Sequence, residues 1–322
     1  MASPKEIARE LPPLLRVYKD GTVERFLGSS KVPPCPQDPE TGVSTKDIEI
    51  SQNPSISARV YLPKLNNSET QKLPILVYFH GGAFCLESAF SFLHLRYLNI
   101  IASQANVLVV SVEYRLAPEH PLPAAYEDGW DALKWVTSHS NGNVPNAEPW
   151  LIKHGDFNRF YIGGDTSGAN IAHYTALRVG GGEGLHGGVK IAGALLAFPL
   201  FWSSKPVLEE SVEGHEKSSV KKVWNFVYPD APGGIDNPLI NPLASEAPSL
   251  GNLGCPKILI FVAGKDELRE RGIWYYEAVK KSGWQGDVEL VHVEGEEHCF
   301  QIYHPETDKS KDMVARIASF LV

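Results

Sequence analysis

The stretch GGDTSGANIA, residues 163–172, decides how this chain is interpreted. It joins an apolar run typical of a buried strand (159–164) to a pattern typical of a helix. Gly164 and Gly168 stand two residues either side of Thr166, so neighbouring backbone can approach closely while Thr166 takes a strained conformation. We therefore predict a sharp strand–turn–helix connection that presents the hydroxyl of Thr166.

Short apolar, β-branched runs alternate with helical patterns along most of the chain. The predicted strands are residues 57–63, 74–79, 106–114, 159–164, 192–198, 257–264 and 287–293. The predicted helices are residues 89–105, 123–139, 168–180, 268–282 and 308–321. Such alternation, with nearly continuous apolar strands, predicts an α/β fold in which a mostly parallel central sheet is flanked by helices on both faces.

Residues 1–322 are expected to form a single α/β domain, because strand–helix alternation resumes after each Pro/Gly-rich connection. Two segments break the pattern. The first, about residues 1–40, contains the amphipathic stretch IARELPPLLRVY (7–18), and the second covers residues 203–228. Both are expected to pack over the edge of the sheet as cap or lid segments.

Composition excludes several classes of protein. The chain is 43% hydrophobic, and 38 acidic against 30 basic side chains give a formal net charge of −8. It therefore lacks the basic surface that nucleic acids or anionic membranes require. The apolar runs are too short to span a bilayer, the N-terminus lacks a signal-peptide core, and the four cysteines have no metal-ligand spacing. We expect a cytoplasmic protein with free thiols and no stable membrane insertion.

A second glycine-containing turn follows the predicted strand 74–79. Its residues His80, Gly81 and Gly82 match the HGG loop whose backbone N–H groups bind an oxyanion in esterases and lipases. Ser167, directly after the turn residue, is expected to add a third N–H. Gly81, Gly82 and Ser167 are therefore the predicted oxyanion hole.

Two further polar residues follow late strands. Asp266 comes just after strand 257–264, and His298 lies in the loop after strand 287–293. The chain order of turn residue, Asp and His is that of the α/β-hydrolase triad, in which His is the general base and Asp orients it. We predict a catalytic set of Thr166, Asp266 and His298.

These motifs together resemble a known family. The segments that carry the resemblance are YFHGGAF, VSVEYRLAPEHPLPAAYED, GGDTSGANIAH, AGKDELRERG and VEGEEHCF. They look like the plant carboxylesterase-like branch of the hormone-sensitive-lipase-type α/β-hydrolases, and the similarity runs nearly end to end. That branch contains carboxylesterases, gibberellin receptors and 2-hydroxyisoflavanone dehydratases. The one departure from the esterase pattern is Thr166, and threonine in this position is associated with the dehydratases.

The resemblance implies a hydro-lyase of plant isoflavonoid biosynthesis with side carboxylesterase activity. The branched threonine crowds an attacking oxygen, which disfavours a covalent acyl intermediate. The same parts suit elimination, with a neutral His298 as base near pH 7 and the oxyanion hole binding an enolate. Thr166 either relays a proton or positions the leaving hydroxyl. No metal and no cofactor are expected. The implied partners are a small flavonoid substrate and, transiently, the upstream isoflavone synthase.

Two alternatives remain on sequence alone. The first is a carboxylesterase that hydrolyses small esters, which requires only that Thr166 acylates tolerably. The second is a gibberellin-receptor-like binding protein. Receptors of this branch lose the catalytic histidine, whereas His298 is present here.

Overall fold

The computed structural model describes residues 5–65, 71–142 and 147–322. Within these ranges the strands are β1 (Ile7–Leu11), β2 (Leu15–Tyr18), β3 (Val23–Arg25), β4 (Ser44–Gln52), β5 (Ser55–Leu62), β6 (Leu73–Phe79), β7 (Leu108–Glu113), β8 (Gly155–Asp165), β9 (Ile191–Ala197), β10 (Lys257–Ala263) and β11 (Asp287–Val293). The α-helices are α1 (Phe92–Gln104), α2 (Ala124–Ser138), α3 (Pro149–His154), α4 (Ser167–Gly180), α5 (Val212–Lys217), α6 (Val220–Val227), α7 (Arg269–Lys281), α8 (Phe300–Tyr303) and α9 (Asp308–Phe320). Every strand and helix predicted from the sequence is present.

Eight strands form the central sheet in the order β11-β10-β9-β8-β6-β7-β5-β4. The pairs from β11 to β7 are parallel, whereas β5 runs antiparallel to both β7 and β4. The predicted α/β fold with a mostly parallel sheet is therefore confirmed. Because the carboxyl ends of parallel strands meet at one edge, the loops after β6, β8, β10 and β11 come together there.

Burial explains why the central strands are apolar throughout. Along β6, Ile75 and Val77 face one hydrophobic cluster while Leu76 and Tyr78 face another. Helices α2, α4 and α7 cover the first cluster, and α1 and α9 cover the second. Since successive strand residues point to opposite faces, a strand covered on both sides needs apolar residues at every position.

The two segments that break the alternation lie against each other. Strands β1–β3 form a small antiparallel sheet, and the Arg9 guanidinium lies 5.0 Å from the ring centre of Phe226 on α6. At the C-terminal end of α6, the Val227 carbonyl accepts a hydrogen bond from the Leu122 N–H at 2.9 Å. The segment predicted from residue 1 begins, in the structure, at residue 5, since residues 1–4 lie outside the described ranges. No helix in the described part of the chain has both the length and the apolarity needed to cross a bilayer.

Candidate active site

The turn between β8 and α4 has the predicted strained geometry. Thr166 has φ +52° and ψ −110°, backbone angles that residues other than glycine rarely adopt. A Cβ added to Gly168 would lie 1.9 Å from the Phe79 carbonyl oxygen, and one added to Gly164 would lie 2.4 Å from the same atom. Both glycines are therefore required, because the β6 backbone passes directly against the turn.

Thr166, His298 and Asp266 form one hydrogen-bonded row. Thr166 Oγ1 lies 2.7 Å from His298 Nε2, and His298 Nδ1 lies 2.6 Å from Asp266 Oδ2. The other oxygen of Asp266 accepts the Leu268 N–H at 2.9 Å, which fixes the carboxylate. The register Ala263–Val293 between β10 and β11 brings the loops that carry Asp266 and His298 side by side. The row has the geometry of nucleophile, base and orienting acid.

The surroundings of His298 favour its protonated form more than those of an ordinary histidine do. Burial disfavours the imidazolium, but the Asp266 carboxylate in contact with the ring outweighs burial and holds the pKa of His298 above its usual range. The protonated form of His298 therefore extends to higher pH than in an ordinary histidine.

The predicted oxyanion hole requires one correction. The Gly81 N–H donates to Asp165 Oδ1 at 3.1 Å, so this amide is not available to a substrate. The N–H groups of Gly82 and Ala83 donate to no atom in the described part of the chain, and both residues line the cleft beside Thr166. Ser167 is the first residue of α4, where an N–H has no acceptor within the helix. The donors that remain are those of Gly82, Ala83 and Ser167.

His80 supports the loop and does not reach the cleft. It is fully buried, stacks on Tyr114 with 4.2 Å between ring centres, and its Nδ1 lies 2.7 Å from the Gly81 carbonyl oxygen. The Tyr114 hydroxyl donates to the His80 carbonyl at 2.6 Å. Burial lowers the pKa of His80 despite the nearby Glu113 carboxylate. These contacts fix the backbone path of the HGG loop.

A buried network of charged residues lies beneath this loop and was not predicted from the sequence motifs. Asp165, adjacent to Thr166, also accepts a hydrogen bond from the Tyr78 hydroxyl at 2.7 Å. His94 on α1 lies between two carboxylates, with Nε2 3.4 Å from Asp165 and Nδ1 3.6 Å from Glu87. Burial opposes its charge, but Asp165 and Glu87 raise the pKa of His94 to about 9. The sequence could have indicated a buried role for Asp165, since its carboxylate lies inside an otherwise apolar strand–turn–helix.

Cys299 is a buried free thiol, as expected of the cysteines from the sequence. Its Sγ lies 3.3 Å from Thr166 Oγ1 and 3.9 Å from Asp165 Oδ2. Burial raises the pKa of Cys299, which keeps the group a neutral thiol. The Thr166 hydroxyl therefore has two hydrogen-bonding neighbours, an imidazole and a thiol.

Two cavities open on either side of Thr166. The loop-side cavity, about 250 Å³, extends along the HGG loop to Leu93 on α1. The cap-side cavity, about 390 Å³, extends to Val220 and Val223 on α6. Leu14, Ala83, Thr166 and His298 border both. A larger groove of about 950 Å³ includes none of the site residues. Within the described ranges, no three His, Cys, Asp or Glu side chains are arranged to hold a metal ion.

The sheet, the turn and the hydrogen-bonded row define the α/β-hydrolase class, and the chain belongs to this family. The family model described as the alpha/beta hydrolase fold matches residues 76–302, and a carboxylesterase-family model matches residues 24–119. The 2-hydroxyisoflavanone dehydratase of Glycyrrhiza echinata is 82% identical over 99% of this chain and 97% of the relative. That of Glycine max is 59% identical over 99% of both chains. These matches confirm the predicted resemblance.

Among solved structures, the chain is similar to an esterase of Pyrobaculum calidifontis. The two are 29% identical, with a TM-score of 0.69, over 86% of this chain and 84% of the esterase. The relatives thus include named dehydratases and an esterase with the same architecture.

Proposed function

We propose that this chain is a 2-hydroxyisoflavanone dehydratase that eliminates water from 2-hydroxyisoflavanones to give isoflavones and retains weak carboxylesterase activity. One observation carries the proposal: a threonine occupies the nucleophile position while the base and two of the three predicted oxyanion donors remain available. The 82% identity to the Glycyrrhiza echinata dehydratase supports the same reaction. A serine esterase gains nothing from a branched side chain at φ +52°.

In the first step, neutral His298 removes the proton from C3 of the substrate. The C3–H electron pair moves into the ring, so that the C4 ketone becomes an enolate. We assign binding of the enolate oxygen to the N–H groups of Gly82, Ala83 and Ser167, which lie beside Thr166. Each such donor is typically worth about 3 to 4 kcal/mol of transition-state stabilisation.

In the second step, the enolate re-forms the ketone, the C2=C3 double bond forms, and the C2–O bond breaks. The hydroxyl leaves as water with the proton that His298 took from C3. Thr166 Oγ1, 2.7 Å from Nε2, is placed to pass this proton on, and its own hydrogen goes to the leaving group as it receives one from the imidazolium. The reaction releases one water, and His298 and Thr166 return to their starting protonation states.

The decisive experiment incubates purified protein with a 2-hydroxyisoflavanone and follows isoflavone formation by chromatography. Hydrolysis of p-nitrophenyl esters is measured in parallel. The His298→Ala variant is the control for spontaneous dehydration, and it should lose both activities by at least ~10²-fold because one imidazole serves both. No isoflavone above this control, together with rapid ester turnover, would overturn the proposal.

A carboxylesterase is the second candidate, and the triad geometry favours it. The Thr166 hydroxyl is hydrogen-bonded to His298 as an esterase nucleophile is, and an esterase shares the architecture. Thr166 would then form an acyl ester. The two candidates separate in the experiment above by the ratio of dehydration to hydrolysis.

We further propose that residues 1–40 and 203–228 act as a cap on a single domain, and that the protein acts in the cytoplasm with transient contact to the upstream isoflavone synthase. The contacts between β1 and α6, and the position of Leu14 over both cavities, support the cap. Fluorescent tagging in plant cells, with co-purification of the synthase, tests the location and the association.

A further inference from the structure

The row of Thr166 and His298 stands where two cavities meet. The cap-side cavity holds about 390 Å³ and the loop-side cavity about 250 Å³. Ala83, which we assign to the oxyanion hole, borders both, as does Leu14. A substrate that reacts at this junction therefore has room to extend in two directions from its reacting bond.

A 2-hydroxyisoflavanone has a matching shape. Its reacting C2–C3 bond lies in a fused bicyclic ring system, and C3 also carries a separate phenyl ring. With C3 beside His298 and the C4 oxygen at Ala83, the bicycle and the phenyl ring leave the junction in different directions. Each cavity must then take one of the two ring systems.

We propose that the cap-side cavity binds the fused bicyclic ring system and the loop-side cavity binds the phenyl ring, an assignment that rests on the proposed dehydratase function. Size decides between the two orientations. A cavity of about 150 Å³ accommodates one benzene ring. The loop-side cavity thus fits one ring with a small substituent, and the cap-side cavity fits two fused rings.

The lining of the cap-side cavity fits the larger ring system. Its walls include the apolar side chains of Leu200, Val223 and Leu268, which are all buried. Its rim carries Lys265 and Glu297, which are exposed and lie 3.9 Å apart. The apolar walls suit the flat faces of the bicycle and hold its substituents within reach of Val223.

Leu93 and Val223 are accordingly the residues that set substrate size. Leu93 lies on α1 and lines only the loop-side cavity, whereas Val223 lies on α6 and lines only the cap-side cavity. In the described part of the chain, neither residue is hydrogen-bonded or ion-paired to Thr166, His298 or Asp266. Enlarging one side chain should therefore restrict one ring system and leave the other unaffected.

The experiment uses two substrate series. In one, the phenyl ring carries hydroxyl, methoxyl or ethoxyl at its 4′ position; in the other, the 7-oxygen of the bicycle is varied in the same way. For Leu93→Phe, kcat/KM for the 4′-ethoxyl relative to the 4′-hydroxyl substrate should fall at least about tenfold, with the 7-series unchanged. For Val223→Phe, kcat/KM for the 7-ethoxyl relative to the 7-hydroxyl substrate should fall by a similar factor, with the 4′-series unchanged.

Leu93→Ala and Val223→Ala provide a second measurement. A phenylalanine at either position could disturb the fold, whereas alanine only enlarges the cavity. Leu93→Ala should raise kcat/KM for the 4′-ethoxyl relative to the 4′-hydroxyl substrate by about tenfold. Val223→Ala should raise kcat/KM for the 7-ethoxyl relative to the 7-hydroxyl substrate by a similar factor. The assignment is overturned if Leu93 variants change selectivity only in the 7-series and Val223 variants only in the 4′-series. It is also overturned if each variant affects both series equally. An unmodified protein that dehydrates no substrate overturns the proposed function instead, so the two failures are distinguishable.

Discussion

Thr166 places a β-branched side chain at a backbone position that disfavours branching. At φ +52° such a position costs on the order of 1 to 3 kcal/mol. Its hydroxyl is shared between His298 Nε2 at 2.7 Å and Cys299 Sγ at 3.3 Å. Under the proposed mechanism, the methyl group should crowd acyl transfer while the hydroxyl keeps its contact with His298 for the elimination.

Thr166→Ser removes only that methyl group. Ester turnover should rise about tenfold, which corresponds to relief of about 1.4 kcal/mol of crowding in the tetrahedral transition state. Dehydration should persist at a lower rate, because the unbranched hydroxyl is less firmly aimed at the leaving group. Both activities are measured on the same preparation with p-nitrophenyl acetate and a 2-hydroxyisoflavanone.

Thr166→Ala is the matched control for this variant. Ester hydrolysis should fall by at least about 10³-fold, since no nucleophile remains. Dehydration should fall by only about 10- to 100-fold, because the base and the backbone donors are unchanged. Equal and complete loss of both activities would mean that the reaction proceeds through a covalent intermediate on Thr166.

The raised pKa of His298 sets the pH dependence of activity. The base must be deprotonated, so the rising limb of kcat/KM should lie above the ordinary histidine pKa of 6.5. Asp266→Asn removes the carboxylate that favours the imidazolium, so this limb should move to lower pH while the maximum falls by about 10⁴-fold. A limb that stays in place in Asp266→Asn would show that another group controls it.

At the scale of elements, His94 joins helix α1 to the turn after β8. Its contacts with Asp165 and Glu87 raise its pKa to about 9, against 6.5 in an ordinary histidine. A raised folded-state pKa contributes stability that is fully present below pH 6.5 and is lost as pH rises through about 9. The buried shift corresponds to a contribution on the order of 3 kcal/mol.

His94→Gln should remove most of the decline in the free energy of unfolding between pH 6.5 and 9. Denaturant titrations at several pH values measure it. His304→Gln, at an exposed position on the surface, is the matched control and should keep the decline. If His94→Gln declines as steeply as the unmodified protein, the imidazolium of His94 is not held by the two carboxylates.

The sequence was informative where the pattern is local. The strand–turn–helix around Thr166, and the loops with Asp266 and His298, follow from apolar periodicity and motif spacing. The pairing of β1–β3 was not predicted, because 7–18 reads as amphipathic and its partners are set by tertiary contacts. The Gly81 assignment was wrong for a related reason: only the fold shows that Asp165, more than eighty positions away, reaches its N–H.

At the scale of the whole molecule, the N-terminal segment borders both cavities beside Thr166. Leu14, in the turn between β1 and β2, is the one side chain from this segment that borders both cavities in the described part of the chain. It therefore contacts a substrate that fills both. Small esters that occupy only the junction depend on it less.

Leu14→Ala should raise KM for a 2-hydroxyisoflavanone by about tenfold, equivalent to about 1.4 kcal/mol of lost apolar contact. The change in kcat should be smaller, and KM for p-nitrophenyl acetate should stay nearly constant. Phe26→Ala is the control, because this exposed side chain in the same segment lines neither cavity. Steady-state kinetics on both substrates measures the difference, and equal KM changes in the two variants would contradict a role for Leu14 in binding.

The close passage of the Phe79 carbonyl against Gly164 and Gly168 has a consequence for how such enzymes diversify. Because β6 leads into the loop of oxyanion donors and the turn carries Thr166, this contact makes donors and turn one preorganised unit. The cost of aligning them is met when the chain folds, so little reorganisation energy remains at the moment of reaction. A change of reaction class therefore needs no rebuilding of the scaffold. We expect that substitutions in the turn and in the cavity walls redirect it while the scaffold is kept.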